Sequence, residues 1–304
     1  MSDLGRRTFM QGMLLGAAGV AFGQTPHLRY PSDRRARLAV ASYPFRAFID
    51  APKNSDRDKA KTGMDLLGFA KMVRSEFGLT GIEPLYSHFA STEPHYLHEL
   101  RKDLDAVGVR TVNIPVDVEV DLCSPDAEKR DSGFESYERW IEAAVVLGSP
   151  GVRLHIPRCA DPANLGPPAE AFRRVVQSAA ARNIIVTLEN DDPVLDSASR
   201  IIAFIQRVNS PYLRALPDFG NSLMQGDVEF NAKAVAGMFR YAANIAHVKD
   251  GEVIHGKLER VDLKQLFDIA RAANYRGYYS MESDSDADPY KDTKHLIEAS
   301  LAFM

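Results

Sequence analysis

The chain has 304 residues, 45% hydrophobic and 26% charged, with a formal net charge of −4. That is the balance of a folded globular protein, long enough for one large domain or two small ones. It excludes a nucleic-acid binder working through a generally basic surface, and two cysteines exclude a disulfide scaffold or a thiolate zinc site of structural type.

At the N-terminus, Arg6-Arg7-Thr8-Phe9-Met10 is a twin-arginine motif ahead of the apolar, small-residue run Met13–Phe22, with Ala21-Phe22-Gly23 where a cleavage site needs small residues. A run of about ten residues is too short for a bilayer, which takes about 20. Residues 1–23 therefore predict a twin-arginine signal peptide, periplasmic export and no membrane attachment after cleavage. That route carries proteins that are already folded. Residues 24–36, polar and Pro-containing, read as a linker.

From residue 37 one pattern repeats eight times: a short apolar run, a polar loop, an amphipathic stretch. The runs are Leu38–Ser42, Gly81–Pro84, Thr111–Val116, Val152–Ile156, Ile184–Glu189, Leu213–Asp218, Ile245–Lys249 and Gly277–Glu282. Their spacing of roughly 30–40 residues is that of βα units, and their near-continuous apolar character suits parallel strands covered on both faces. Between them, Leu66, Phe69, Met72, Val73 and Phe77 form one helical stripe, and Leu263, Leu266, Phe267 and Ala270 another, with Asp262 placed as N-cap. The pattern predicts an α/β fold, a single-domain (β/α)8 TIM barrel over 37–304. No GxGxxG follows the first strand, which argues against a dinucleotide site.

Four consecutive runs carry metal-capable residues at or near their ends: Glu189, Asp218, His247 and Glu282. Strand C-termini share one mouth in such a barrel, so these four form one site. Three carboxylates and an imidazole suit Mn2+, Mg2+, Co2+ or Zn2+, and their mutual repulsion calls for the cation. Each has an ordinary structural explanation taken singly: a helix cap for Glu189, a turn for Asp218, a core histidine for His247, a solvated acidic loop for Glu282. Their recurrence at equivalent positions favours the site. His155, Arg153 and Lys249 share the inward face and are candidates for substrate contact, as is Glu83 at the end of strand two. Cys123 and Cys159 fall in loops after adjacent strands; two free thiols are the expectation over a disulfide.

The segments Leu188-Glu189-Asn190, Asp218-Phe219-Gly220-Asn221, His247-Val248-Lys249-Asp250-Gly251 and Gly277–Ser283 (GYYSMES), with Gly81-Ile82-Glu83, resemble the xylose isomerase-like barrel superfamily, in its sugar phosphate isomerase/epimerase group. The resemblance covers essentially residues 37–304. It implies metal ligation by Glu189, Asp218, His247 and Glu282, with both glutamates also acting as the acid/base pair on opposite faces of the substrate. Two positions depart from the group. Asn221 stands where many relatives carry His, and Leu195 where ketose epimerases carry an acidic residue. Asn221 is retained as a substrate-side candidate.

The implied chemistry is enolisation of a carbohydrate or cyclitol, a small-molecule substrate expected to lack phosphate because no Gly-rich cradle is evident. Proton return decides between isomerisation and epimerisation, and loss of a β-leaving group makes a lyase or dehydratase. An apurinic endonuclease of the same superfamily would need a three-zinc cluster with further His ligands and a basic face. A non-catalytic carbohydrate-binding barrel would have no use for the paired glutamates. Neither nucleic acid nor membrane is an expected partner of the mature chain; a homo-oligomer is compatible with the sequence.

Overall fold

A computed structural model describes residues 25–283 and 288–304. The signal-peptide reading of residues 1–23 lies outside the described residues, as do the four positions after Ser283. Among the described residues no helix is long and apolar enough to cross a membrane.

Eight parallel strands form the barrel: β1 (Leu38–Ala41), β2 (Gly81–Glu83), β3 (Arg110–Thr111), β4 (Gly151–Leu154), β5 (Ile185–Glu189), β6 (Leu213–Leu216), β7 (Ile245–Val248) and β10 (Tyr278–Met281). They pair as β3-β2-β1-β10-β7 and β4-β5-β6. Bridges Pro115↔Arg153 and Asp218↔His247 close the two gaps. Of Thr111–Val116 only Thr111 lies in a strand, and Pro115, with no N–H for a continuous ladder, adds one bridge.

Helices α1 (Leu66–Met72), α2 (Pro94–Ala106), α3 (Ala127–Leu147), α4 (Gly166–Ala181), α5 (Ala198–Val208), α6 (Val228–Phe239), α7 (Leu263–Ala272) and α8 (Pro289–Phe303) cover the strands. Asp65 caps α1 by accepting from the Gly68 N–H at 2.7 Å. Asp262 caps α7 by accepting from Gln265 at 3.1 Å, as its sequence predicts.

Alternate strand residues divide between two apolar bodies. Leu38, Val40, Val152, Leu154, Val186 and Leu188 join the large core under the helices. Ala39, Val112, Leu216, Ile245 and Tyr278 make a small one inside the barrel, with Tyr30 packed against it. The stretch read as a linker is, in its described part, tied to the barrel. The Tyr30 hydroxyl accepts from the Asn244 N–H at 2.9 Å, and the His27 N–H donates to Asn183 at 2.9 Å.

One element falls outside the repeat. After β7 an antiparallel hairpin, β8 (Gly251–Ile254) and β9 (Lys257–Arg260), rises before α7. Its two-residue turn, His255 and Gly256, has φ of 50° and 76°, the doubly positive geometry of a type I′ hairpin. The cysteines also differ from expectation: Cys123 and Cys159 form a disulfide, Cα atoms 5.4 Å apart. The loops after β3 and β4 leave neighbouring strands on the same face, which brings them within bridging distance.

Candidate metal centre

Strand parity places the site. His247 and Ile245 share a face of β7, Glu189 and Thr187 a face of β5, and Arg153 and Gly151 a face of β4. The inward-facing polar side chains collect above the small interior core, at the C-terminal ends of the strands. There Glu189, Asp218, His247 and Glu282 offer ligand atoms all within 4.8 Å of one another, and all four residues are buried.

His247 is the hub. Its Nδ1 lies 2.8 Å from Glu189 Oε1 and 2.7 Å from Glu282 Oε2. Its Nε2 lies 3.0 Å from both oxygens of Glu83. Burial pushes the imidazole down, but Glu189, Glu282 and Glu83 outweigh it and hold His247 well above the ordinary histidine range. Burial raises Glu83 and Glu282, yet the facing His247 leaves both below the ordinary carboxylate range.

Asp218 serves two purposes at once. Oδ1 accepts from the Gly220 and Asn221 N–H groups at 2.8 and 2.7 Å, fixing the turn after β6. Oδ2 is buried without a hydrogen-bond partner, and Lys249 Nζ is 4.0 Å away. Burial raises Asp218 most; Lys249 opposes this, Glu189 and Glu282 add to it, and the result is about 7. A buried carboxylate oxygen with nothing to accept, beside two more carboxylates and an imidazole nitrogen, is what a divalent cation would satisfy. The donor set therefore fits a metal.

Asn190 braces this turn: its Oδ1 accepts from Asp218 N at 2.8 Å, and its Nδ2 donates to Ser222 Oγ at 3.0 Å. Asn221 donates to Glu189 Oε1 at 3.3 Å and accepts from Lys249 Nζ at 2.7 Å, and Lys249 also faces Glu252 of the hairpin at 3.4 Å. Asn221 and Lys249 thus both adjoin the cluster. Glu83 is placed differently from the substrate contact expected of it. It has no exposed surface, and Asn113 Nδ2 donates to its Oε1 at 2.8 Å, so its role is toward His247.

A second polar group lies beside the first. Arg153 Nε is 3.1 Å from Glu189 Oε2, and its NH1 pairs with Asp117 and lies 3.6 Å from Asp191. His155 Nε2 lies 2.8 Å from Asp117 Oδ1 and 2.7 Å from Arg153 NH1, while Nδ1 lies 3.1 Å from Asp196 Oδ2. Asp117, His155 and Asp191 also have ligand atoms within 4.8 Å of one another, but the Arg153 guanidinium stands among them and opposes a second cation.

Asp117, Asp191 and Asp196 were not singled out in the sequence. Asp191 carries the parity of Glu189 one step past the strand, which was its signal. Asp196 is next to Leu195, the position read as having lost an acidic group. The carboxylate is one residue further on, where it accepts from the Ile156 N–H at 3.2 Å.

Comparison with known proteins agrees with this architecture. The profile of the family described as xylose isomerase-like TIM barrel matches residues 73–304. No match is found among curated proteins. A xylose isomerase-like TIM barrel protein from Mycobacterium smegmatis in complex with magnesium is similar in structure. Its TM-score is 0.64 at 18% identity, over 92% of this chain and 99% of that one. The 3-keto-D-glucoside 4-epimerase of E. coli aligns at TM-score 0.61 and 17% identity, over 81% and 97%. The probable 3-DHS dehydratase of Bacillus anthracis aligns at 0.63 and 11%, over 86% and 97%. With eight parallel strands closed into a barrel and a family profile matching most of its length, the chain belongs to the xylose isomerase-like TIM barrel family.

Proposed function

We propose that this chain is a divalent-metal-dependent enzyme that enolises a non-phosphorylated keto-sugar, keto-glycoside or cyclitol, as an isomerase or epimerase or, where the substrate carries a β-leaving group, as a lyase. The observation that carries this is the buried Glu189–Asp218–His247–Glu282 cluster with its unpartnered Asp218 oxygen. Those four residues would hold the cation, which when bound supplies Lewis acidity toward a substrate carbonyl and its neighbouring hydroxyl.

The rest falls to the chain's own side chains. Glu189 and Glu282 come from strands on opposite sides of His247, each within 2.8 Å of Nδ1, so a substrate beside them meets a carboxylate on either hand. One takes the proton from the carbon next to the carbonyl, and the same or the other returns it. Arg153 and Asn221 fix Glu189 from two directions, which limits the positions from which it can reach that proton.

The test is a screen of keto-sugars and 3-keto-glycosides with Mn2+, Co2+ or Zn2+, following exchange of substrate C–H for deuterium in D2O. Wild type is expected to exchange and turn over. Glu189→Gln and Glu282→Gln are each expected to lose at least about 100-fold. Full activity in either variant refutes the acid/base pair, and binding without exchange or elimination refutes the enzyme. The proposal includes export: the Arg6-Arg7 motif and the Cys123–Cys159 disulfide both suit an oxidising periplasm, and fractionation of the expressing cell checks it.

A further inference from the structure

The group around His155 has the arrangement of an oriented proton donor. Asp196, buried in the loop before α5, accepts from Nδ1, so Nδ1 carries a hydrogen and Nε2 is the nitrogen turned toward Asp117 and Arg153. Asp196 is itself held by the Ile156 N–H. At Nε2 the imidazole finds both an acceptor, Asp117 Oδ1 at 2.8 Å, and a donor, Arg153 NH1 at 2.7 Å. Either protonation state of Nε2 therefore has a partner in place. The side chain of His155 is 25% exposed and that of Asp117 36%, whereas those of Asp218 and His247 have no exposure, so this group stands at the open side of the mouth.

One guanidinium separates the two halves. Arg153 touches Glu189 through Nε and His155 through NH1. A substrate whose C–H lies at the glutamates therefore presents atoms one or two bonds further on to His155.

We propose that His155 is a second catalytic residue, a general acid that protonates the leaving oxygen when the enolised substrate eliminates, with Asp196 as its positioning residue. This rests on the enolisation reading above. In a 3-keto-glycoside the C2–H bond breaks and its proton passes to Glu189 or Glu282. The electron pair forms the C1–C2 double bond, the C1–O bond breaks, and the departing oxygen takes the Nε2 proton of His155. The products are an unsaturated keto-sugar and a free alcohol, with no oxidant or reductant consumed.

The groups facing His155 are Arg153 from β4, Asp117 from the loop after β3, and Asp191 and Asp196 from the loop after β5. Burial and Arg153 push its pKa down, Asp117, Asp196 and Asp191 push it up, and the balance near 9 leaves it protonated at neutral pH.

The experiment uses the metal-loaded full chain with methyl and 4-nitrophenyl 3-keto-β-glucosides, measuring deuterium exchange at C2 and release of the alcohol separately. His155→Gln is expected to lower the ratio of elimination to exchange for the methyl glycoside at least about 30-fold. The 4-nitrophenyl glycoside, whose aglycone leaves as its anion, is expected to lose less than about fivefold. Asp196→Asn is expected to move the alkaline limb of the elimination profile to lower pH, and Asp196→Glu to restore part of it. Equal loss for both glycosides, or an unchanged ratio, overturns the proposal while leaving enolisation intact. Absence of exchange in the wild type overturns the enolisation reading and this proposal with it.

Discussion

Glu83→Gln isolates the support given to His247, the histidine proposed to bind the metal. Glu83 and His247 have no exposed surface, and one imidazole N–H is shared between two carboxylate oxygens at 3.0 Å each. Because the carboxylate only accepts, Nε2 carries a hydrogen, and Nδ1, which faces Glu189 and Glu282, is the nitrogen a cation would take by displacing its proton. Glutamine keeps the shape and one acceptor but removes the charge that makes the imidazole more basic. A hydrogen bond to a charged group contributes about 1.5–3 kcal/mol and a neutral one about 0.5–1.5, so one shared proton loses roughly 1–1.5 kcal/mol. That places the expected loss near tenfold in metal affinity, the low end of the about 10–100-fold range for outer partners of metal-binding histidines. Calorimetric titration of metal-free wild type and variant with Mn2+ and Co2+ measures it, and a thermal melt shows that the variant is folded. Affinity within twofold of wild type would refute the idea that Glu83 acts on the centre.

Two further outcomes follow from the same geometry. Asp218, at about 7, and His247, well above the ordinary range, each hold a proton more tightly folded than unfolded. Such groups stabilise the fold below their unfolded pKa and lose that contribution as pH rises through the folded value. The metal-free protein is therefore expected to melt higher at pH 6 than at pH 8.5, and saturating Mn2+ to weaken that dependence; a metal-free Tm rising with pH would contradict the assignment. Separately, the disulfide closes a loop spanning a sequence separation of 36, which loop-closure entropy values at about 4 kcal/mol. Replacing both cysteines with serine is expected to lower Tm by about 6 °C in a domain of this size, and an unchanged melt would show that the thiols are not paired.

The barrel and the grouping of Glu189, Asp218, His247 and Glu282 were legible because both rest on periodicity. A run such as Ile184–Glu189 states its own burial, its end and the face of its last residue, so equivalent positions in successive repeats imply a shared mouth. Of the second polar group, Arg153 and His155 were legible from strand four, whereas Asp117 and Asp196 were not, because they sit in loops where no period fixes direction. Asp196 shows the cost of reading by offset. A loop can deliver a carboxylate one residue later than a family pattern places it, and the empty position at Leu195 then looks like a loss. The hairpin after β7 was overlooked since His255-Gly256 is not among the usual turn pairs and its first strand shows no apolar alternation, Glu252 being buried and Val253 exposed. The disulfide needed the spacing of two loop tips, a tertiary quantity that strand order narrows without fixing.

The two halves of the mouth are best understood through their shared charge. Seven carboxylates meet there: Glu83, Asp117, Glu189, Asp191, Asp196, Asp218 and Glu282. Opposing them are Arg153, Lys249 and the two imidazoles of His155 and His247. Even with both histidines charged the balance is negative, and burial makes the surplus expensive. Protons relieve it where pairing is poorest: Asp218 beneath the cluster and Asp191 beside it are both raised to about 7, burial being the largest cause in each. A divalent cation among Glu189, Asp218, His247 and Glu282 would take over that role at Asp218 but not at Asp191, which faces Arg153 and His155 instead. The metal side can thus settle its charge by ion binding. The open side keeps its protons on His155 and Asp191, while Arg153 and His155 hold Asp117 ionised, and that difference is the physical reason to look for metal chemistry at one half and proton transfer to a leaving group at the other.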